Sequence, residues 1–279
     1  MFYKKINEKV QCYLCPHNCI INNGKFGKCN VRTNKGGELF TINYGDITAT
    51  ALDPIEKKPL HFFKPSSHIL SVGSYGCNMS CSFCQNYSIA HFSPHSEFTS
   101  KESLVEAALN TNNNIGIAFT YNEPVIWYEY VYDCAKLLKE KNKNAKVILV
   151  TNGFINEEPL KKLLPYIDAM NIDLKAFNND YYKNICGGEL DPILKTIEIS
   201  SKYCHIEVTT LLVTGKNDNF NEIEEISKFL SHIDKNIPLH LTRYFPRYKM
   251  DNPATDLTFM MDAKNIANKY LNNVILGNI

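Results

Sequence analysis

From residue 68 onward, short apolar runs alternate with longer amphipathic stretches. The run His68–Gly73 reads as a first buried strand. Further strands are expected at 115–119, 145–150, 169–174, 205–213, 238–243 and 274–276. Between them, helical periodicity falls on 101–111, with Ser100 as cap, and on 124–141 and 157–164, with Asn156 as cap. It recurs near 179–184 and on 192–202, 222–233 and 262–271. Regular alternation of this kind predicts a parallel sheet with crossover helices, an α/β fold. Sites in such barrels lie at the C-terminal ends of the strands. Upstream, only 39–44 alternates like a short strand. Pro54, Pro59 and Pro65 predict irregular structure over 53–67, and Glu56, Lys57, Lys58 and His61 in it read either as a solvated charged loop or as a loop covering a ligand site. The expected organisation is therefore a segment and connector at 1–67 and a barrel at 68–279.

The chain has 279 residues, 44% hydrophobic and 21% charged. That suits one large domain with an appendage. A net charge of +1 offers no bulk attraction to nucleic acid or to an acidic membrane surface. No apolar run approaches the roughly 20 residues of a membrane span. MFYKKINEKV has no apolar signal region, so a cytoplasmic location is expected.

Cysteine changes this picture. Ten are present, and seven fall in two tight groups. Cys77, Cys81 and Cys84 form C-x3-C-x2-C directly after the first strand. Soft thiolates favour iron–sulfur clusters or zinc. Three of them hold three corners of a four-iron cube and leave the fourth iron open. A zinc knuckle would need a fourth ligand. Cys12, Cys15, Cys19 and Cys29 form C-x2-C-x3-C-x9-C, with Gly24 and Gly27 for turns and His17 as a possible substitute ligand. Four thiolates suit either a closed zinc site or a second cluster; free, packed cysteines are the alternative. Cys134, Cys186 and Cys204 read as inert thiols.

The loop GCNMSCSFCQN, followed by TYNEP, VTNG and NIDLK at the next strand ends, resembles the radical S-adenosylmethionine (SAM) enzymes. The resemblance implies a partial (β/α)6 barrel of the TIM-like type, a [4Fe-4S] cluster and SAM bound at the open iron. It implies Phe83 near the adenine and Glu123 at the SAM amino group, although Tyr121 and Asn122 replace the usual glycines. Thr151, Asn152 and Asp173 resemble the SAM-proximal residues of pyruvate formate-lyase activating enzyme, with Val150 in place of an aspartate. Lys175 is expected to face the site. Arg243, ending the sixth strand, is a candidate clamp for the carboxylate of SAM or of a substrate.

CYLCPHNC, GKCNVRTNKGG, DPIEKKPLHFFKPSS and RYFPRYKM together resemble the radical SAM member of the AmmeMemoRadiSam group. That resemblance implies Memo-like and AMMECR-like partners, and a kinship with glycyl-radical activating enzymes. Members often continue into a cysteine-rich C-terminal segment, which this sequence lacks. A low-potential cluster also implies a donor such as flavodoxin or ferredoxin. The expected activity is reductive SAM cleavage to a 5'-deoxyadenosyl radical, directed at a protein substrate or at a small molecule. An electron carrier would explain the cysteines but not TYNEP or NIDLK. A zinc-ribbon module for nucleic acid would call for a basic excess.

Overall fold

The computed structural model describes residues 1–92 and 94–279. Its main sheet has eight strands in chain order: Ala49–Pro54, His68–Gly73, Asn114–Phe119, Lys146–Thr151, Ala169–Asp173, His205–Leu212, Leu239–Arg243 and Val274–Gly277. From His68 on, all neighbours pair in parallel. Helices join them, as the alternation predicted. These strands are buried on both faces, which is why they read as near-continuous apolar runs. The outer face packs on the helices in one large core. The inner face holds a smaller cluster of Ile69, Ala118, Ile148 and Ala169 with Ile55 and Leu60.

Local signals set most of the boundaries. Ser100 caps Lys101–Asn110 by accepting from the Ser103 amide. The last helix, Leu257–Ala267, starts five residues before the expected position because Asp256 caps it. Asn156 does not cap Glu157–Leu163. Its side-chain amide donates to the Tyr13 carbonyl at 2.7 Å and ties down the N-terminal segment. The stretch expected to be helical near 179–184 is one α turn followed by a wide π turn, Tyr182–Cys186, which ends at Gly187 with φ +72°.

The connector departs most from expectation. Ala49–Pro54 is a strand, antiparallel to His68–Gly73. ATALDP has a single large apolar residue, the exposed Leu52, too little to mark a strand by pattern, and pairing along the sheet edge stabilises it. Beyond it, residues 55–62 turn beneath the barrel. Glu207, wholly buried, accepts from the amides of His61 at 3.0 Å and Phe62 at 2.8 Å. It also accepts from His240 at 2.6 Å and His205 at 3.0 Å. Asn171 donates to the Pro59 carbonyl at 2.9 Å.

The N-terminal segment forms a three-stranded sheet, a hairpin and turns. Phe2, Val10, Leu14, Ile21 and Val31 join the main core. Arg32, almost fully buried, pairs with Glu129 on the helix Tyr128–Lys141. Among the described residues no helix is long and apolar enough to cross a membrane.

Candidate active site

The loop after His68–Gly73 has room for only one backbone path. Gly76 has φ +86°, and a Cβ there would lie 2.7 Å from Val31 Cγ1 and 2.8 Å from the Cys29 carbonyl. The loop therefore packs directly on the N-terminal segment. His17 reaches across the same seam, its Nε2–H donating to the Asn78 carbonyl at 2.7 Å. Asn78 in turn donates to the Phe154 carbonyl at 2.7 Å and accepts from Asn152 at 2.9 Å.

Held this way, Cys77, Cys81 and Cys84 line one cavity of about 420 Å³. Strand ends from across the whole sheet reach it, so the sheet curves around it. Ligand pockets of roughly 300–1,000 Å³ are typical. Phe83, Glu123, Thr151, Asn152, Asp173 and Lys175, all expected from sequence, line the same cavity. Cys77 Sγ accepts from the Met79 amide at 3.4 Å and the Asn152 side chain at 3.7 Å. Burial pushes the Cys84 thiol up to about 11 and Cys77 well above its ordinary value. Such thiols need a cation to hold them as thiolates. No three His, Cys, Asp or Glu side chains among the described residues, here or at the N-terminal cysteines, meet at one point as the ligands of a single ion would. A cube is held at separate corners, so these three thiols, spread around one cavity beside the Lys175 ammonium, fit a cluster.

Glu123 is buried and takes three donors, which leaves acceptor capacity on its carboxylate. It accepts from the Val125 amide at 2.9 Å, the Thr151 hydroxyl at 2.7 Å and the Asn152 amide at 2.8 Å. Burial raises its carboxyl to about 7 despite those donors. Lys175 donates to Asp173 at 2.7 Å and stands 6.0 Å from the centre of the Phe83 ring. Strand alternation puts Thr242 on the cavity and turns Arg243 away. Arg243 donates to the Thr255 carbonyl at 2.9 Å and stacks over Phe245, so it clamps nothing in this cavity.

Sequence reading missed several neighbours. Cys186, read as a buried or inert thiol, is buried and its thiol lies beside that of Cys81. Only the folding of the π turn brings them together. Lys58, in the stretch that reads either as a solvated charged loop or as a loop over the site, is 2% exposed and lines the cavity, as the second reading requires. It donates to Asp53 at 2.8 Å, as does the Tyr121 hydroxyl at 2.8 Å. Burial alone would raise Asp53, but the donors outweigh it and hold the carboxyl at about 2. The presence of a lysine between prolines carried no periodic signal.

Cys12, Cys15, Cys19 and Cys29 line a second, small cavity of about 20 Å³ with His17 and Arg32. Burial pushes Cys15 up to about 12. Among the described residues, Arg32 Nε is buried there without a hydrogen-bond partner.

The sequence pattern of the radical SAM superfamily matches residues 71–230. The uncharacterized protein MJ0808 of Methanocaldococcus jannaschii is 40% identical over 288 aligned positions, covering 100% of this chain and 84% of its own. The pyruvate formate-lyase-activating enzyme of Clostridium pasteurianum is 25% identical over 216 positions, covering 72% of this chain and 88% of its own. Streptococcus suis SuiB bound to S-adenosylmethionine superposes with a TM-score of 0.57 at 15% identity, over 75% of this chain and 52% of that one. At that identity the likeness concerns the fold. A pattern match over more than half the chain, borne on a mostly parallel sheet of the same kind, makes this protein a member of the radical SAM superfamily.

Proposed function

We propose that the protein holds a [4Fe-4S] cluster through Cys77, Cys81 and Cys84 and reductively cleaves SAM. The convergence of these three thiols with Glu123, Asn152 and Lys175 on one cavity carries the reading. When bound, cluster and SAM supply a 5'-deoxyadenosyl radical that abstracts hydrogen from a substrate. The chain's part is to bind, orient and exclude water. Asn152 positions Cys77 and Asn78 together. Lys175 and Asp173 offer opposite charges to the two ends of the methionine moiety, and Phe83 offers a face to the adenine. Glu123 stiffens the strand end that borders them, and its carboxylate is available to an ammonium group. Flavodoxin or ferredoxin is the proposed reductant.

The similarity to an activating enzyme supports action on a partner protein by glycyl-radical formation. The full-length likeness of motifs supports placement in the AmmeMemoRadiSam group, with Memo-like and AMMECR-like proteins as partners. Modification of a small molecule is the second reading, favoured by the buried Lys58 in the cavity. The N-terminal cysteines, which line one small cavity, are proposed to hold a second cluster or, with their thiols drawn closer together than they stand here, zinc. The unpartnered Arg32 Nε beside them supports an anionic thiolate centre.

Anaerobically reconstituted protein with dithionite should convert SAM to 5'-deoxyadenosine and methionine, read by chromatography. Cys81→Ala should lose both the cluster absorbance and the product. Undiminished product from that variant would falsify the assignment.

A further inference from the structure

The floor of the cavity carries more positive charge than the residues around it balance. Lys58 rises into it from the connector beneath the barrel. Its ammonium has three N–H donors, and the hydrogen bond to Asp53 uses one. The Tyr121 ring lies 4.7 Å from Nζ and covers one side. Lys57, exposed but also lining the cavity, reaches the other Asp53 oxygen at 3.4 Å. Two ammonium groups thus share one carboxylate. The other lysine in the cavity, Lys175, already has Asp173 to itself.

The arrangement is held under strain. Tyr121 has φ +72°, an uncommon value for a bulky residue. Its carbonyl accepts from Asn86 at 2.7 Å, and its hydroxyl holds Asp53. Gly73 leaves it room, since a Cβ there would lie 2.9 Å from Tyr121 Cβ. Strain of this kind persists where the surrounding structure over-determines it, often at a ligand site. Lys58 is nearly buried and has N–H donors to spare beyond its bond to Asp53, and the exposed Lys57 draws on the same carboxylate. An incoming anion therefore gains from both, most from the buried ammonium, where low effective dielectric strengthens the pair.

We infer that Lys58, supported by Lys57, anchors the acidic group, carboxylate or phosphate, of a small-molecule substrate. This deepens the small-molecule reading of the proposed function and rests on it. The acid lies at the floor, with the cysteine loop and Lys175 above it. A buried anchor in a cavity of about 420 Å³ selects a metabolite-sized acid that enters whole. A loop of a folded protein would meet the rim first.

The test uses cluster-free full-length protein, with inorganic phosphate and malonate as probes against sodium chloride at matched ionic strength. Lysines are dimethylated with formaldehyde and cyanoborohydride, and each site is read by peptide mass spectrometry. At about 50 mM, one of the probes should slow labelling of Lys58 about fivefold or more, as expected for a site mostly filled. The probe that protects names the acid. The same probe should raise the thermal midpoint of wild type and of Lys58→Arg, but not of Lys58→Met. Lys58 labelling that neither probe slows beyond chloride would overturn the inference, whether or not the variants fold. Formation of 5'-deoxyadenosine by the wild-type holoenzyme is scored separately, so loss of one conclusion is not loss of the other.

Discussion

At the scale of single residues, burial decides what each charged group can do. Glu123 has a carboxyl raised to about 7 by burial. A raised carboxyl binds its proton more tightly folded than unfolded. Its stabilising contribution is complete below the unfolded value and is lost as pH rises through about 7. The loss is on the order of 3 kcal/mol for an isolated group. Cluster-free wild type should therefore melt lower at about pH 8 than at about pH 5.5, and Glu123→Gln should show less of that difference. Equal pH dependence in both would place the proton elsewhere. Lys175→Ala removes a charge-assisted contact worth about 1.5–3 kcal/mol, which predicts tenfold to hundredfold weaker SAM binding with the cluster retained. Calorimetry on reconstituted protein reads it, and unchanged affinity would leave Lys175 as a partner for Asp173 alone. Gly76→Ala meets both strained φ and two close atoms. A loss of about 1–3 kcal/mol is expected, seen as a lower denaturant midpoint.

At the scale of elements, one carboxylate fastens the connector beneath the barrel. Glu207 has four donors, and they carry it to about 2 although burial opposes them. Its contribution is present above the unfolded carboxyl range and disappears only as pH falls toward 2, so it is constant across the window used for Glu123. Glu207→Gln leaves the imidazoles and amides short of acceptors. It should cost about 3–5 kcal/mol and speed amide exchange at 58–62. Unaltered exchange there would show that Ile55 and Leu60 hold the connector by packing alone.

At the scale of the whole molecule, the N-terminal segment and the barrel share one core. Unfolding should therefore be a single transition, and damage to the four-cysteine pocket should be felt everywhere. Cys15→Ser is expected to lower the thermal midpoint while the cluster loop still binds SAM. Metal analysis should give about four irons with one zinc, or about eight irons. Four irons and no zinc, in protein never exposed to chelator, would show that the segment folds without metal.

Much of this protein was settled by local sequence. The alternation of apolar runs and helical stretches determined the order and direction of the strands, because two-sided burial and amphipathic crossover each leave a short-range pattern. Cysteine spacing marked the loop, because thiols that share a centre on one short loop must be close in sequence. The tertiary structure alone decided which face each polar residue serves. Arg243 and Thr242 differ by one position, so strand alternation puts them on opposite faces, and only the packing of the sheet decides that Thr242's face is the one on the cavity. Lys58 reaches the floor only because the 61 and 62 amides find Glu207, some 145 residues away along the chain. Cys186 meets Cys81 through a π turn. Such contacts join residues far apart in sequence, and no local pattern records them, because the energy that fixes them appears only when the curved sheet packs on its helices, connector and N-terminal segment.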